Sequence, residues 1–300
     1  MPSTEWTWAW PWWWSLVIIN IINFTLCIII FVRSAKSGDT ENRRYLRTMR
    51  ILGLIFCAVS AYRSVFVSRY LTQLAWFDTV LNSTLLIRSF ALFAELCFAG
   101  LIALCLLRFN RDIPGILNEK ESGFPRFLKT GTPRFFFLCI FAAQFFVFSG
   151  VITKIRVFFA IEETLWGLAF LSITPLVLMQ LRKVFSFKDE SSRKELVLFR
   201  AFTVVMAVFC VGYVIYSLGY HLPIEYWPSA IAQLQMEVPE PAIRLGAGAV
   251  RDAFFIVNVT RDLSAWGGIG FVIWHTGYFS VCVWMVLLFM SGPRRLKARV

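Results

Sequence analysis

The sequence predicts an all-α, polytopic membrane protein, because its composition, its apolar stretches and its charge distribution all favour that class. Of the 300 residues, 58% are of hydrophobic types and 16% are charged, whereas a soluble domain averages about 45–50% apolar and about 25% charged residues. Phenylalanine (31) and tryptophan (12) are especially frequent. This composition excludes a soluble enzyme, a disordered chain and a small disulfide-stabilised domain.

Seven apolar stretches are long enough to cross a hydrocarbon core of about 30 Å, which takes about 20 residues of helix. We predict about seven transmembrane helices, at residues 14–32, 51–67, 79–107, 135–153, 165–181, 198–220 and 268–290. They lack strand-like alternation, and a backbone in lipid must satisfy its own hydrogen bonds, so helices are expected. The fifth is the shortest and contains Pro175. We expect one transmembrane domain over residues 1–300.

The basic residues alternate between the two sides of this arrangement. The links after helices one, three and five, together with the C-terminal tail, hold 22 of the 30 lysines and arginines. An excess of Lys and Arg marks the inner side of a membrane protein. We therefore predict that the N-terminus is outside and that the C-terminus lies on the positive-inside face. The net charge of +12 is interpreted as a topology signal that also attracts anionic lipid, and no nucleic-acid partner is expected.

Six of the twelve tryptophans lie near the N-terminus, at Trp6, Trp8, Trp10, Trp12, Trp13 and Trp14. Indole rings prefer the headgroup level of a bilayer, so the first interpretation is an anchor at the outer interface. The alternative is a segment that lies flat on the membrane and docks a partner, since Pro11 is expected to prevent helix one from extending further.

Residues 221–266 form the longest predicted loop, on the outer side. Four prolines interrupt it, and two short interfacial helices are predicted within it, at Ser229–Met236 and Pro241–Asn258. The stretch AFFIV is too apolar for a free linker. We expect this loop to lie on the membrane surface or against another subunit.

No motif in the sequence supports catalysis, a metal site or a cofactor. All seven cysteines fall inside predicted helices, where they act mainly as small apolar residues. The two histidines, His221 and His275, do not form a haem or di-iron ligand set. Nucleotide-binding and zinc motifs are missing. A non-catalytic protein is therefore favoured, with no cofactor and no metal; a bound phospholipid is expected, with cardiolipin as one candidate.

Charged residues inside transmembrane helices are costly, and they mark functional sites by default. The candidates are Arg63, Arg88 and Glu95, with Gln144 and His275 as further polar residues. Arg88 and Glu95 are seven residues apart, about 10 Å along a helix axis, which predicts that each needs another partner. Three interpretations stay open: pairing that sets helix packing, a site for a lipid phosphate or another anion, and a transport pathway.

The short link between helices four and five contains Lys154, Arg156, Glu162 and Glu163. This run of charges is typical of a solvated turn in which long side chains reach the interface. We therefore predict no functional role for it.

Three functions are compatible with these features. The first is a non-catalytic subunit of a larger membrane assembly, such as an accessory subunit of a respiratory-chain or ATP synthase complex in the mitochondrial inner membrane, bound to lipids and other subunits. The second is a transporter or channel that uses Arg63, Arg88 and Glu95. The third, a lipid-handling enzyme, lacks a visible nucleophile or metal set. The first hypothesis is preferred.

Overall fold

The computed structural model describes residues 7–33, 40–113, 116, 123–186, 193–236 and 242–292. Within these ranges, seven helical stretches are long and apolar enough to cross a membrane. The chain is thus an all-α polytopic membrane protein, as predicted. Its main helices are α1 (Ala9–Val32), α2 (Thr40–Val65), α3 (Thr84–Asp112), α4 (Thr132–Thr153), α5 (Arg156–Ser186), α6 (Arg193–Tyr216), α7 (Trp227–Leu234), α8 (Gly246–Phe255), α9 (Gly268–Gly277) and α10 (Val283–Ser291).

Several of these helices extend beyond the predicted apolar stretches. Helix α2 begins eleven residues before residue 51, and α5 has 31 residues instead of being the shortest helix. In both, the added turns contain charged residues, which form helices well but lower the hydropathy on which the prediction rested. Pro175 lies inside α5 without ending it, because membrane helices tolerate an interior proline.

The starts of α1 and α3 also differ from the prediction. Helix α1 begins at Ala9 and runs through Pro11, because the missing proline N–H falls in the first turn, where backbone N–H groups have no partner within the helix. Helix α3 starts at Thr84 instead of residue 79, where the Ser83 side chain accepts a hydrogen bond from the backbone N–H of Leu86 at 3.2 Å. A Ser at this position is a favoured N-cap.

Three of the spans contain π-helical segments. The fourth begins with a short helical turn and a π segment (Phe127–Gly131) ahead of α4. The sixth continues from α6 through a π segment (Ser217–Tyr226) into α7, so it reaches Leu234 instead of ending at residue 220. The seventh has a π segment (Tyr278–Cys282) between α9 and α10. Residue 221, where the predicted outer loop begins, therefore lies within the sixth span. Helices occur near both predicted positions, as α7 and α8, but α7 is part of that span, and an interfacial location of either helix stays a prediction.

The bundle is built around α2 and α3. Helix α2 packs against α1, α3 and α10, and from α3 the chain continues through neighbouring pairs α3–α4, α4–α5 and α5–α6. One apolar cluster runs through the bundle, and its largest fully buried members are Phe56, Phe109, Phe136, Phe170, Phe199, Phe202 and Phe289. All seven cysteines are free; six are buried and Cys282 is half-buried, as expected for small apolar residues.

A small sheet closes one end of the bundle. Strands β1 (Ser68–Arg69) and β2 (Leu74–Ala75) are antiparallel, and β3 (Asn258–Val259) adds parallel to β2. Buried Trp76 and Trp266 lie beside it with Trp12 and Trp13. We call this the tryptophan end. The opposite end, where α2 begins and α3 ends, is the basic end. Which end faces the cell interior stays a prediction.

Candidate functional site

The N-terminal tryptophans divide into a buried and an exposed group. The Trp12 indole donates to Thr276 Oγ1 and the Trp13 indole to the Val65 carbonyl, both at 3.0 Å. Trp8, Trp10 and Trp14 are exposed, and Trp6 lies outside the described residues. The alternative interpretation assumed that Pro11 ends helix one, and this is wrong: from Ala9 onward the described part belongs to the first two turns of α1. Two of its indoles fix α1 against α2 and α9.

The central polar feature joins Arg88 and Glu95 of α3 to Gln144 of α4. Arg88 donates to both Glu95 oxygens, at 2.5 and 2.7 Å, and also to Gln144 Oε1. Gln144 in turn donates to Glu95 Oε2 at 3.0 Å. Arg88 is 2% exposed and Glu95 9%. The network is neutral overall and connects two helices.

The expectation that Arg88 and Glu95 are too far apart for direct contact is wrong, although both also have a further partner in Gln144. Their Cα atoms are about 10 Å apart along the axis, but Glu95 leans toward the N-terminal end of α3, as helical side chains do. The long Arg88 side chain covers the remaining distance, and the pairing is bidentate, the strongest geometry for these two groups. The prediction used only the separation along the helix axis and did not include the combined length of the two side chains.

Arg63 has a different environment. Its guanidinium donates to the phenol oxygens of Tyr70 at 3.0 Å and Tyr278 at 3.3 Å. It also lies 5.2 and 5.4 Å from the ring centres of Tyr278 and Phe279, within range of a cation–π interaction. Among the described residues it makes no ion pair within 4.0 Å. Sequence reasoning missed both tyrosines, since residue 70 follows helix two and residue 278 resembles an ordinary core residue.

Lys154 is buried, contrary to the predicted solvated turn. Its backbone has a positive φ of 63° at the C-terminus of α4, and its ammonium group donates to the Tyr70 carbonyl at 2.9 Å. Burial, with a smaller effect of nearby Arg244, lowers the pKa of Lys154 to about 7. The local prediction failed because the loop that contains Tyr70 folds over this turn.

Glu163 is also buried, because α5 begins at Arg156 and places Glu163 inside the helix. Its carboxylate accepts a hydrogen bond from Tyr213 at 3.1 Å and lies 3.6 Å from His221 Nδ1. His221 Nε2 lies 3.3 Å from Glu225. Sequence reasoning missed this cluster entirely, since its members come from α5, α6 and the π segment of the sixth span.

His275 lies in an aromatic environment. Its ring is buried between Phe271 and Phe279, with centroid distances of 4.5 and 4.9 Å, and Trp12 lies 6.3 Å away. It is 54 residues from His221 in the sequence and does not belong to the Glu163 cluster. This environment favours a packing role.

A second ion pair lies at the basic end of α3. Arg108 Nε donates to Asp112 at 2.6 Å, and Arg108 Nη2 contacts Asn42 of α2 at 3.4 Å. Both charged residues are buried. This pair has the ordinary four-residue spacing of helical ion pairs.

Taken together, the structure brings Arg88, Glu95 and Gln144 into one hydrogen-bonded network. Arg63 and His275 lie outside that network and pack against the same ring, that of Phe279. The two terminal nitrogens of Arg88, the Glu95 carboxylate and the Gln144 amide are hydrogen-bonded to one another, which suits the fixing of helices more than exchange with a passing ion; Arg88 Nε is buried without a hydrogen-bond partner among the described residues. Comparison of the chain with family models, with curated proteins and with solved structures finds no match.

Proposed function

We propose that this chain is a non-catalytic integral membrane subunit of a larger membrane assembly. The observation that carries the proposal is the closed Arg88–Glu95–Gln144 network. A charge at this depth is costly unless it is neutralised, and here the neutralising groups come from the protein itself. The network therefore acts as a structural link between α3 and α4.

The surface outside the spans supports an association with other subunits. The segment that contains α8 is tied to the bundle by the Arg244 N–H, which donates to the Thr153 carbonyl at 2.9 Å, and by the Thr84 hydroxyl, which donates to the Ala253 carbonyl at 3.1 Å. Yet the same segment exposes Leu245 (73%) and Phe255 (61%). Exposed apolar surface of this kind marks contacts with proteins or membranes.

The assembly that we favour is an energy-transducing complex, a respiratory-chain or ATP synthase complex of the mitochondrial inner membrane, with phospholipid such as cardiolipin at the basic end. The absence of a catalytic motif and the apolar surface around α8 support an accessory role. The basic links support lipid binding, at about 1 kcal/mol for each well-placed Lys or Arg.

The test is the mass of the particle that carries this chain after gentle solubilisation of native membranes. We expect a particle several times heavier than the 34.6 kDa chain, with the same partner proteins at fixed stoichiometry in repeated preparations. A photo-crosslinking residue in place of Leu245 should join one of those partners, while the same residue in place of exposed Arg182 on α5 serves as the matched control. A monomer or small homo-oligomer would overturn the proposal.

A transporter or channel remains the second candidate, and Arg63 favours it. This cation is held by two phenols rather than by a carboxylate, so an anion could replace them as its partner. Flux in reconstituted vesicles tests this function when Glu95→Gln and Arg88→Leu are normalised to the folded fraction. Unchanged flux per folded molecule, or no flux above empty vesicles, would exclude it.

A further inference from the structure

The Glu163 cluster is not used by the proposed function, and its geometry poses a question of protonation. His221 lies in the π segment Ser217–Tyr226 of the sixth span. Both of its ring nitrogens face carboxylates: Nδ1 is 3.6 Å from Glu163 on α5, and Nε2 is 3.3 Å from Glu225 one turn further along its own segment. The imidazole therefore stands between two anions from different elements.

A neutral imidazole cannot satisfy both carboxylates. It has one N–H donor, and its other nitrogen presents a lone pair, whereas the imidazolium ion donates from both nitrogens. In the structure, Nδ1 is buried and has no hydrogen-bond partner among the described residues; at 3.6 Å it is beyond hydrogen-bonding distance of Glu163. A second proton on the ring would convert this contact into a charge-assisted hydrogen bond after a small approach.

The groups around His221 are mostly acidic or aromatic. From α5, Glu162 and Glu163 act on the tyrosines of the cluster, and from β1 the cation of Arg69 acts on Glu225 and Tyr226. The rings of Tyr216 and Tyr226 lie 4.7 and 4.6 Å from the imidazole. The other titratable groups of this region are Tyr213 and Tyr220. The charged groups nearest the imidazole nitrogens are the carboxylates of Glu163 and Glu225.

The π segment that contains His221 has a backbone conformation that contributes little stability of its own. A π-helix is a rare conformation, found mostly as single turns at functional sites, and Pro223 within it has no N–H to donate. The π segment packs closely on α5. Gly167 of α5 has no side chain, and a Cβ atom added there would lie only 2.9 Å from Ser217 Oγ. Side-chain contacts between α5 and this segment therefore matter for its position.

We propose that His221 is a proton-sensing site at the tryptophan end, where proton binding fastens the π segment to α5 through Glu163 while Glu225 holds the opposite nitrogen. The Glu225 side chain is 53% exposed, so protons can reach the ring from that side. Loss of the proton removes the second donor and releases Glu163. The π segment is then held to α5 less firmly, while α7 stays attached to the start of α5 through the hydrogen bond from the Arg156 N–H to Gln233.

The test is the pH dependence of thermal unfolding of the full chain in nanodiscs, with EDTA present to exclude bridging metal ions. The measurement is made in a Lys154→Met background, because titration of Lys154, with its pKa of about 7, would change the midpoint in the opposite direction. Because the extra contact forms only with the protonated ring, the unfolding midpoint should then rise as the pH falls from about 8 to about 6, the range in which histidine changes charge. We expect a rise of about 2–4 °C. His221→Gln and Glu163→Gln should each remove most of this rise, while Glu225→Gln should reduce it.

His275→Gln is the matched control, because it removes the only other histidine of the sequence and lies outside the cluster. It should keep the pH-dependent rise even if the midpoint itself moves. A rise that survives in His221→Gln, or disappears only in His275→Gln, overturns the proposal.

A measurement on the unmodified protein covers the case in which His221→Gln does not fold. With ¹⁵N-labelled histidine, two histidines give only two sets of ring signals, and His275→Gln assigns them. We expect the His221 nitrogens to change from one N–H to two as the pH falls through this range, and to do so at lower pH in Glu163→Gln. A His221 ring that stays neutral throughout, or that titrates identically in Glu163→Gln, contradicts the proposal.

Discussion

Helix α3 contains two arginine–carboxylate pairs that differ in spacing and in depth. Arg88 and Glu95 are seven residues apart and are joined to Gln144 of α4, with Glu95 about 16 Å from the start of the helix by its rise. Arg108 and Asp112 are four residues apart, at the basic end, and contact Asn42 of α2. Both pairs are buried, and each arginine lies four residues from an end of α3. The difference is that Arg88 is turned inward to Glu95, whereas Arg108 is turned outward to Asp112, the last residue of the helix.

This comparison shows that burial alone does not decide what a charge pair does in a membrane protein. A long side chain at a helix end can turn its charged group toward the interface when its partner is lost. Arg88 in the middle of the network cannot do so without moving α4. We therefore expect α3 to depend strongly on the Arg88 pair and weakly on the Arg108 pair.

The largest effect is expected for Glu95→Gln. This change leaves the buried Arg88 cation without a neutralising charge, which costs about 3–5 kcal/mol of unfolding free energy for a broken buried pair. Unfolding in mixed detergent micelles measures it. The double variant Arg88→Met with Glu95→Leu removes both charges and should be more stable than either single variant; if it is not, the pair is not a closed unit.

Asp112→Asn should cost less, about 1.5–3 kcal/mol of unfolding free energy, the range of a hydrogen bond to a charged group. Arg108 keeps its contact with Asn42 and lies at the helix end, where water is within reach. The same unfolding measurement applies. A loss equal to that of Glu95→Gln would show that depth does not separate the two pairs.

For Arg63, whose partners are phenols and not a carboxylate, the loss of one partner should cost still less unfolding free energy. Tyr278→Phe removes one of the two hydrogen-bond acceptors of Arg63 and retains the aromatic ring beneath it, so we expect a loss of about 1 kcal/mol. Tyr220→Phe, an exposed tyrosine, is the matched control and should be neutral. A loss above that of Asp112→Asn would mean that Arg63 depends on Tyr278 as strongly as on a charge.

The last prediction concerns the pH dependence of stability that arises from Lys154. Its pKa of about 7 lies far below the ~10.4 of an exposed lysine, so the unfolded chain binds a proton there that the folded protein lacks between these values. Stability from this group is therefore gained as the pH rises from about 7 toward about 10 and is lost as the pH falls back toward 7. Unfolding midpoints at about pH 7 and 9 should show this rise.

Lys154→Met should remove that pH dependence, since methionine does not titrate. Lys183→Met, which replaces an exposed lysine at the basic end, should retain it. Equal pH profiles for the wild type and Lys154→Met would mean that the Lys154 ammonium is hydrated in the folded protein.

The sequence was sufficient to predict those properties that depend on a single helix. The apolar stretches predicted the number of spans, and the positions of the cysteines predicted free, buried thiols, because hydropathy acts on each segment independently. The ends of α2 and α5 could not be predicted in this way, since their charged terminal turns gain stability from neighbouring helices. Arg108 and Asp112 have the four-residue spacing that a sequence reveals.

The tertiary structure alone decided which polar groups meet. Gln144, Tyr278 and His221 are far in the sequence from the residues that they contact, and only the packing of α2 to α6 with the π segments brings them within hydrogen-bonding or ion-pair distance. The same holds for Lys154, whose burial depends on a loop some 84 residues earlier in the chain. The sequence determined that a bundle of seven helices forms. Helix packing decided which of its charges are neutralised, because a charged side chain pairs with groups that are near it in space, whatever their separation in the sequence.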